Sequence, residues 1–189
     1  MVNEKVVNNK DGNVEFISKK APKVKLSFHQ SSSIVKTLAS LVIYLKYRAV
    51  KNDLVIIDEP ELNLHPDNQV KFAKIISRLI NKGLRLVIST HSDYIIREFN
   101  NLIMISSNNN DVESVAKEYG YRDDEFLKII DVGAYMFNYK NEKAKQTEIK
   151  SIKIDQNGFE VSTLDNTIEE LNKRSDELFY TLKYGKANS

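Results

Sequence analysis

Cysteine is absent from the 189 residues, and proline (3) and glycine (6) are scarce. Without cysteine there is no disulfide framework, no thiolate metal site and no thiol nucleophile. No apolar run approaches the roughly 18 residues that a membrane span requires. The opening MVNEKVVNNKDGNVEF is polar and lacks the apolar centre of a secretory leader. A cytoplasmic protein with no membrane partner is the expectation. Charge of one sign is lacking as well, since 28 basic residues face 26 acidic ones for a formal net charge of +2. That balance gives no global field to draw in nucleic acid and leaves only a local patch open. Hydrophobic residues make up 41% and charged residues 29%, the composition of a folded soluble chain rather than a disordered one. The length suits one domain with a real core.

Short alternating stretches around Val14 to Ile17 and Val24 to Phe28 predict two strands near the start. A polar run, Gln30 to Ser33, then precedes Ile34, Val35, Leu38, Leu41, Val42 and Leu45, whose spacings of three and four put one apolar stripe on a helix with a serine cap. Leu54-Val55-Ile56-Ile57 is a continuous branched run and predicts a strand buried on both faces. Pro66 opens a helix to about Asn81, and Gly83 ends it. Leu84 to Thr90 predicts a second buried strand, Asp93 to Phe99 a short helix, and Leu102 to Ile105 a third strand. Strands alternating with helices over short connections make the pattern of a parallel α/β sheet. Further on, Ser106 to Asp111 is a loop, and the stretch to Asp131 is helical in pieces. Ala134 to Tyr139 and Thr147 to Ile154 form strands, and Asn157-Gly158 supports a tight hairpin into a strand from Phe159 to Leu164. A last helix runs from Thr167 to about Tyr184. The expected division is 1–106 for the sheet-bearing lobe and 107–189 for an extension packed on the same domain.

The chemistry concentrates in Leu54-Val55-Ile56-Ile57-Asp58-Glu59-Pro60-Glu61. An apolar strand ending in two carboxylates puts acid at the carboxyl edge of a sheet, where α/β folds bind ligands. In a nucleotide-hydrolysing site the first acid can hold Mg²⁺, and the second can orient and deprotonate water. An isolated pair of this kind is more often an ordinary strand end with solvated acids. Two neighbours shift that balance: Leu62-Asn63-Leu64-His65-Pro66 follows at once, and Ser89-Thr90-His91-Ser92 ends the next strand. His91 is then placed to touch a transferring phosphate, the alternative being a strand-end histidine bonded to backbone. His65 caps or braces its turn. A zinc site built from His65, His91 and the acids matches no ligand spacing.

These segments together resemble the ABC-class ATPases. LVIIDEP is similar to their Walker B strand, ELNLHP to their D-loop and STHS to their H-loop, while SSSIVKTL stands where the signature motif belongs. The combination DEPELNLHP…STHSDYI is most similar to the branch holding OLD-type nucleases, the recombination mediator RecF and SMC-like ATPases. The resemblance is close from Gln30 to Ile105 and loose beyond it. It implies an α/β fold, a parallel-sheet lobe of P-loop NTPase type followed by a C-terminal β-hairpin and helix. It implies ATP and Mg²⁺ as cofactors, with Asp58 supporting the metal, Glu59 as general base and His91 contacting the γ-phosphate. Asn63 would cross a dimer interface. Ser32 would be the signature serine, reaching a phosphate bound by a partner subunit with help from its helix N-terminus. One departure is that Ile34 stands where the family has glycine, with Lys36 nearby as a possible positive charge and Ser31 or Ser33 as substitutes for Ser32.

A G-x-x-x-x-G-K-[ST] loop should precede the signature run, yet the glycines at 12, 83, 120, 133, 158 and 185 build none. Without that backbone nest and lysine, nucleotide affinity should be poor. The expectation is a truncated, split or expressed fragment acting in a homodimer or with a partner subunit, the loop being supplied by missing sequence or another polypeptide. The other function class is a non-catalytic half that binds protein or DNA. A third, a metal-dependent nuclease using Asp58 and Glu59, lacks a downstream Asp-x-Asp cluster, since Asp123-Asp124-Glu125 reads as a solvated charge run. Lys140, Lys143, Lys145, Lys150 and Lys153 with Tyr135 and Tyr139 offer a basic, aromatic strand face for nucleic acid. Edge-strand lysines that discourage aggregation are the favoured account.

Overall fold

A computed structural model describes residues 4–8, 14–18, 25–27, 33–139 and 146–185, with side chains over 38–139, 146–161 and 166–185. It divides into two units, Met1–Leu127 and Lys128–Ser189. The first begins with three antiparallel strands, β1 (Glu4–Asn8), β2 (Val14–Ser18) and β3 (Lys25–Ser27), with β2 in the centre. The alternation at Val14 and Leu26 foretold β2 and β3. β1 (EKVVN) is too polar to announce itself and is defined by its pairing, Val6 opposite Phe16.

The apolar stripe forms α1 (Ser33–Tyr47). β4 (Leu54–Asp58) and β5 (Arg85–Ser89) then pair in parallel, Asp58 beside Ser89, with α2 (Pro66–Asn81) connecting them. α2 has the bounds that Pro66 and Gly83 dictate. His65 caps it, its Nδ1 accepting the Asp67 N–H at 3.3 Å, and Pro66 occupies a first-turn position that needs no donor. Gly83 leaves the helix at φ 92°, where a Cβ would come within 2.8 Å of Lys51 Cγ. Leu64, Phe72, Ala73, Ile76 and Ile95 make the buried core, against which Leu38, Leu41, Ile57, Leu86 and Ile88 pack. Each large side chain removed from water there is worth roughly 1.5–3 kcal/mol.

Two expectations are corrected in this unit. β4 and β5 are covered on one face only: Leu54, Ile56 and Val87 are 54%, 72% and 52% exposed, while their alternating neighbours face the helices. The branched run therefore does not mean burial on both faces here. The third strand is also absent, because α3 (Asp93–Ile105) carries straight through Leu102. No glycine or proline interrupts it, and Ile95, Phe99, Leu102 and Ile103 keep helical spacing, three of them at most 1% exposed. Among the described residues the parallel sheet is thus a two-stranded pair.

α4 (Asn110–Glu118) follows the Ser106 turn. The first unit runs past the expected boundary at Ser106 because 119–127 is tied back to it. Leu127 is 2% exposed and donates its N–H to the Leu102 carbonyl, and Asn81 bonds the carbonyls of Asp124 and Phe126. Asp124 and Glu125 are not a solvated run. Asp124 pairs with Arg78 at 2.9 Å and Arg122 at 3.2 Å, and buried Glu125 accepts the Arg122 N–H.

The second unit holds a 3₁₀ turn (Ile129–Asp131), an antiparallel hairpin of β6 (Ala134–Tyr139) and β7 (Thr147–Ile152), and α5 (Ser162–Tyr184). The sequence placed the hairpin turn at Asn157-Gly158; the observed hairpin instead joins β6 to β7, whose strands lie where they were expected. The strand expected from Phe159 does not form: Asp155 and Gly158 bond each other's backbone in a closed turn, and the chain enters α5 at Ser162. Tyr135 and Tyr139 lie on one face of β6 with Phe137, whereas Lys150 sits opposite Met136 on the other face and pairs with Glu148. Lys153 follows the strand, and Lys140, Lys143 and Lys145 lie outside the described residues. Among the described residues no helix is long and apolar enough to cross a membrane.

Candidate functional site

The parallel register brings the ends of β4 and β5 side by side, and three of the five residues singled out from sequence, Asp58, Glu59 and His91, meet there. Asp58 is exposed at the end of β4 and accepts a hydrogen bond from the Ser89 hydroxyl. Both side chains lie on the open face of the strand pair, the face of Ile56 and Val87. Glu59 turns the chain out of the strand with φ 42°, a left-handed conformation costly for a residue with a Cβ. Its N–H holds that turn by donating to both the carbonyl and the hydroxyl of Ser89, each at 3.1 Å. Ser89 therefore positions both acids at once.

His91 comes from the other strand. Its Nε2 lies 3.5 Å from Glu59 Oε1, and its side chain is 86% exposed. Two adjoining turns, Leu62 N–H to Glu59 and Leu64 N–H to Glu61, carry the chain from Glu59 to α2. Asn63 sits in them, exposed, at φ 64°, which an asparagine tolerates better than most residues. Ser32 lies outside the described residues. His65 is occupied in capping α2.

Sequence reasoning missed the residues that hold this arrangement. Glu61 reaches across to β5's end and accepts the Thr90 hydroxyl at 2.8 Å and the His91 N–H at 2.6 Å. Ser92 caps α3 through the Ile95 N–H and donates to Gln69, whose amide in turn holds the Leu64 carbonyl at 2.9 Å. For Glu61, Thr90 and Ser92 the available signal was their position within DEPE and STHS, and Gln69 carried none. The structure resolves into an exposed acid, a half-buried acid and an exposed imidazole converging on one edge, with a braced frame behind them. Such a set can hold a hard cation, orient water and place a proton donor or acceptor near it. Among the described residues no three His, Asp or Glu side chains are arranged to ligate one metal ion; a Mg²⁺ ion, which commonly takes one or two carboxylates and fills its shell with water and phosphate, does not need three.

The chain is 32% identical over 79 residues to the cell division ATP-binding protein FtsE from two strains of Streptococcus pneumoniae. That match takes in 40% of this chain, which spans about a third (34%) of the length of the curated relatives it matches. A solved structure described as "Structural biochemistry of ATP-driven dimerization and DNA stimulated activation of SMC ATPases" aligns with a TM-score of 0.48 at 13% identity, covering 91% of this chain and 80% of that one. Residues 1–96 match the AAA ATPase domain family. That span is half of the chain and contains Asp58, Glu59, Asn63 and His91, so the chain belongs to the AAA ATPase domain family.

Proposed function

We propose that this chain contributes the acidic strand of an ATP-hydrolysing site, of the ABC-like kind found in the OLD, RecF and SMC branch. The observation that carries the reading is the 3.5 Å approach of His91 to Glu59 across two strand ends. Glu59 is the general base that takes a proton from water, and His91 orients that base and meets the γ-phosphate. Asp58 suits Mg²⁺, being exposed and retaining acceptor capacity beyond its bond from Ser89. When bound, Mg²⁺ supplies positive charge to the phosphate oxygens during transfer. A phosphate-binding loop, absent from these 189 residues, comes from further sequence of a longer parent acting as a homodimer, or from a partner subunit. Asn63 faces that partner, and Ser32 approaches the phosphate bound there.

Glu59→Gln in the loop-completed ATPase tests the assignment. ATP hydrolysis should fall at least about 100-fold while ATP binding persists, the loss expected for a general base. Undiminished turnover would sink Glu59 as the base.

The missing glycine loop favours a second reading, a non-catalytic half that binds a partner protein or DNA. Purified chain given Mg-ATP separates the two in part, since turnover by this chain alone excludes both the non-catalytic reading and the need for a supplied loop.

A further inference from the structure

α5 leaves its apolar side chains in water. Leu171, Leu178, Phe179 and Leu182 are 55%, 72%, 56% and 89% exposed. Most helices in proteins owe their stability to burying such a face, so a 23-residue helix with this pattern is built to be covered. The arrangement says by what. Ile168, Leu171, Ser175, Leu178 and Leu182 recur at intervals of three, four, three and four, the seam of a two-helix coil.

Charge placement points to a second copy. Among residues 166–184, Glu169, Glu170, Lys173, Asp176, Glu177 and Lys183 all lie away from the seam. The positions flanking it are Thr167, Asn172, Arg174, Phe179 and Thr181. The one charge there, Arg174, is engaged along its own helix with Glu170 at 2.8 Å. A foreign helix would be selected by a charged row beside the seam, and α5 has none. An identical helix meets no like-charge row and requires no complementary one. Ser175, at the middle of the seam, is small enough for close approach while weakening the pairing.

We propose that α5 is a self-association element, pairing with α5 of a second copy of this chain through the Leu171–Leu178 seam. This interface is separate from the Asp58–Glu59–His91 edge and does not depend on nucleotide.

Sedimentation equilibrium of the full chain without nucleotide tests it. The parent should be dimeric by about 100 μM, the millimolar-to-micromolar range open to a short seam. Leu171→Glu with Leu178→Glu should give a monomer with the melting of the first unit retained, while Lys173→Glu on the outer face stays dimeric. Because a loss can have other causes, Ser175→Ile provides a gain: completing the seam should tighten the dimer about tenfold or more. A monomeric parent, a dimer that survives both glutamates, or an unchanged Ser175→Ile dimer would each overturn the proposal.

Discussion

The Glu61 carboxylate accepts the backbone N–H of His91 at 2.6 Å, fastening the turn after β4 to the turn after β5. Through the same oxygen it accepts the Thr90 hydroxyl, while its other oxygen is buried with no hydrogen-bond partner among the described residues. Glu61→Ala should cost about 1–3 kcal/mol in urea unfolding, as expected for a lost charge-assisted bond. Hydrogen exchange at the His91 amide should accelerate. Glu61→Gln keeps one acceptor and should lose less than the alanine variant, with that amide still protected. Equal losses would remove the hydrogen bond as the cause.

Ser89 serves Asp58 with its hydroxyl and Glu59 with its carbonyl and hydroxyl oxygens. Ser89→Ala removes the first bond and one of the acceptors holding the left-handed turn. A loss of about 1 kcal/mol is expected, with faster exchange at the Glu59 amide. An amide as protected as in the parent would show that the carbonyl alone secures the turn.

A second prediction about charge concerns Glu98, only 4% exposed, which accepts Tyr121 Oη–H at 3.0 Å and faces Lys74 at 3.8 Å. Burial, then the charge and hydrogen bond of Glu98, push the Tyr121 hydroxyl up to about 12 from 10.0. A raised folded value means that stability is fully present below pH 10 and is lost as pH climbs through about 12. Tyr121→Phe should be less stable at pH 7 by about 1–3 kcal/mol, because it strips a partner from a buried carboxylate. It should also lose less further stability than the parent between pH 10 and 12. A parallel fall of the two chains in melting experiments over that window would contradict the assignment.

The open face of the strand pair contrasts with the helix core packed on its other face. Ile76 is 1% exposed at the centre of the core, and Ile76→Ala should cost about 2–5 kcal/mol. Ile56 is 72% exposed, and Ile56→Thr should change stability by no more than about 0.5 kcal/mol. A loss at Ile56 comparable to that at Ile76 would mean that the face is covered in solution.

Acid should release a different contact. The Tyr44 hydroxyl and the Val50 N–H hold Asp53 below its ordinary 3.8, so this pair's stabilisation exists above pH 3.8 and fades as pH falls through the lowered value. Tyr44→Phe should flatten the acid limb of a stability–pH curve relative to the parent.

Much of the architecture was legible because local rules decided it. α2 begins at Pro66 and stops at Gly83 since a missing donor and a positive φ belong at those places. The Asp58-Glu59 strand and His91 were legible for a similar reason: apolar residues specify the strand, and polar residues crowd its end. Leu102–Ile105 misled because four apolar residues satisfy a strand and a buried helix face alike. Length and the absence of a breaker after Phe99 decided it for the helix.

What the sequence by itself determined is α1, α2, β4 and β5 and the chemistry gathered near residues 58–65 and 89–92, because propensity, capping and residue type act over a few positions. Tertiary structure alone decided that Asp58 stands beside Ser89, that His91 comes within 3.5 Å of Glu59, and that Glu61 holds the two turns together. It also decided that one face of β4 stays in water. Parallel pairing joins residues about thirty positions apart, and no local preference encodes that register.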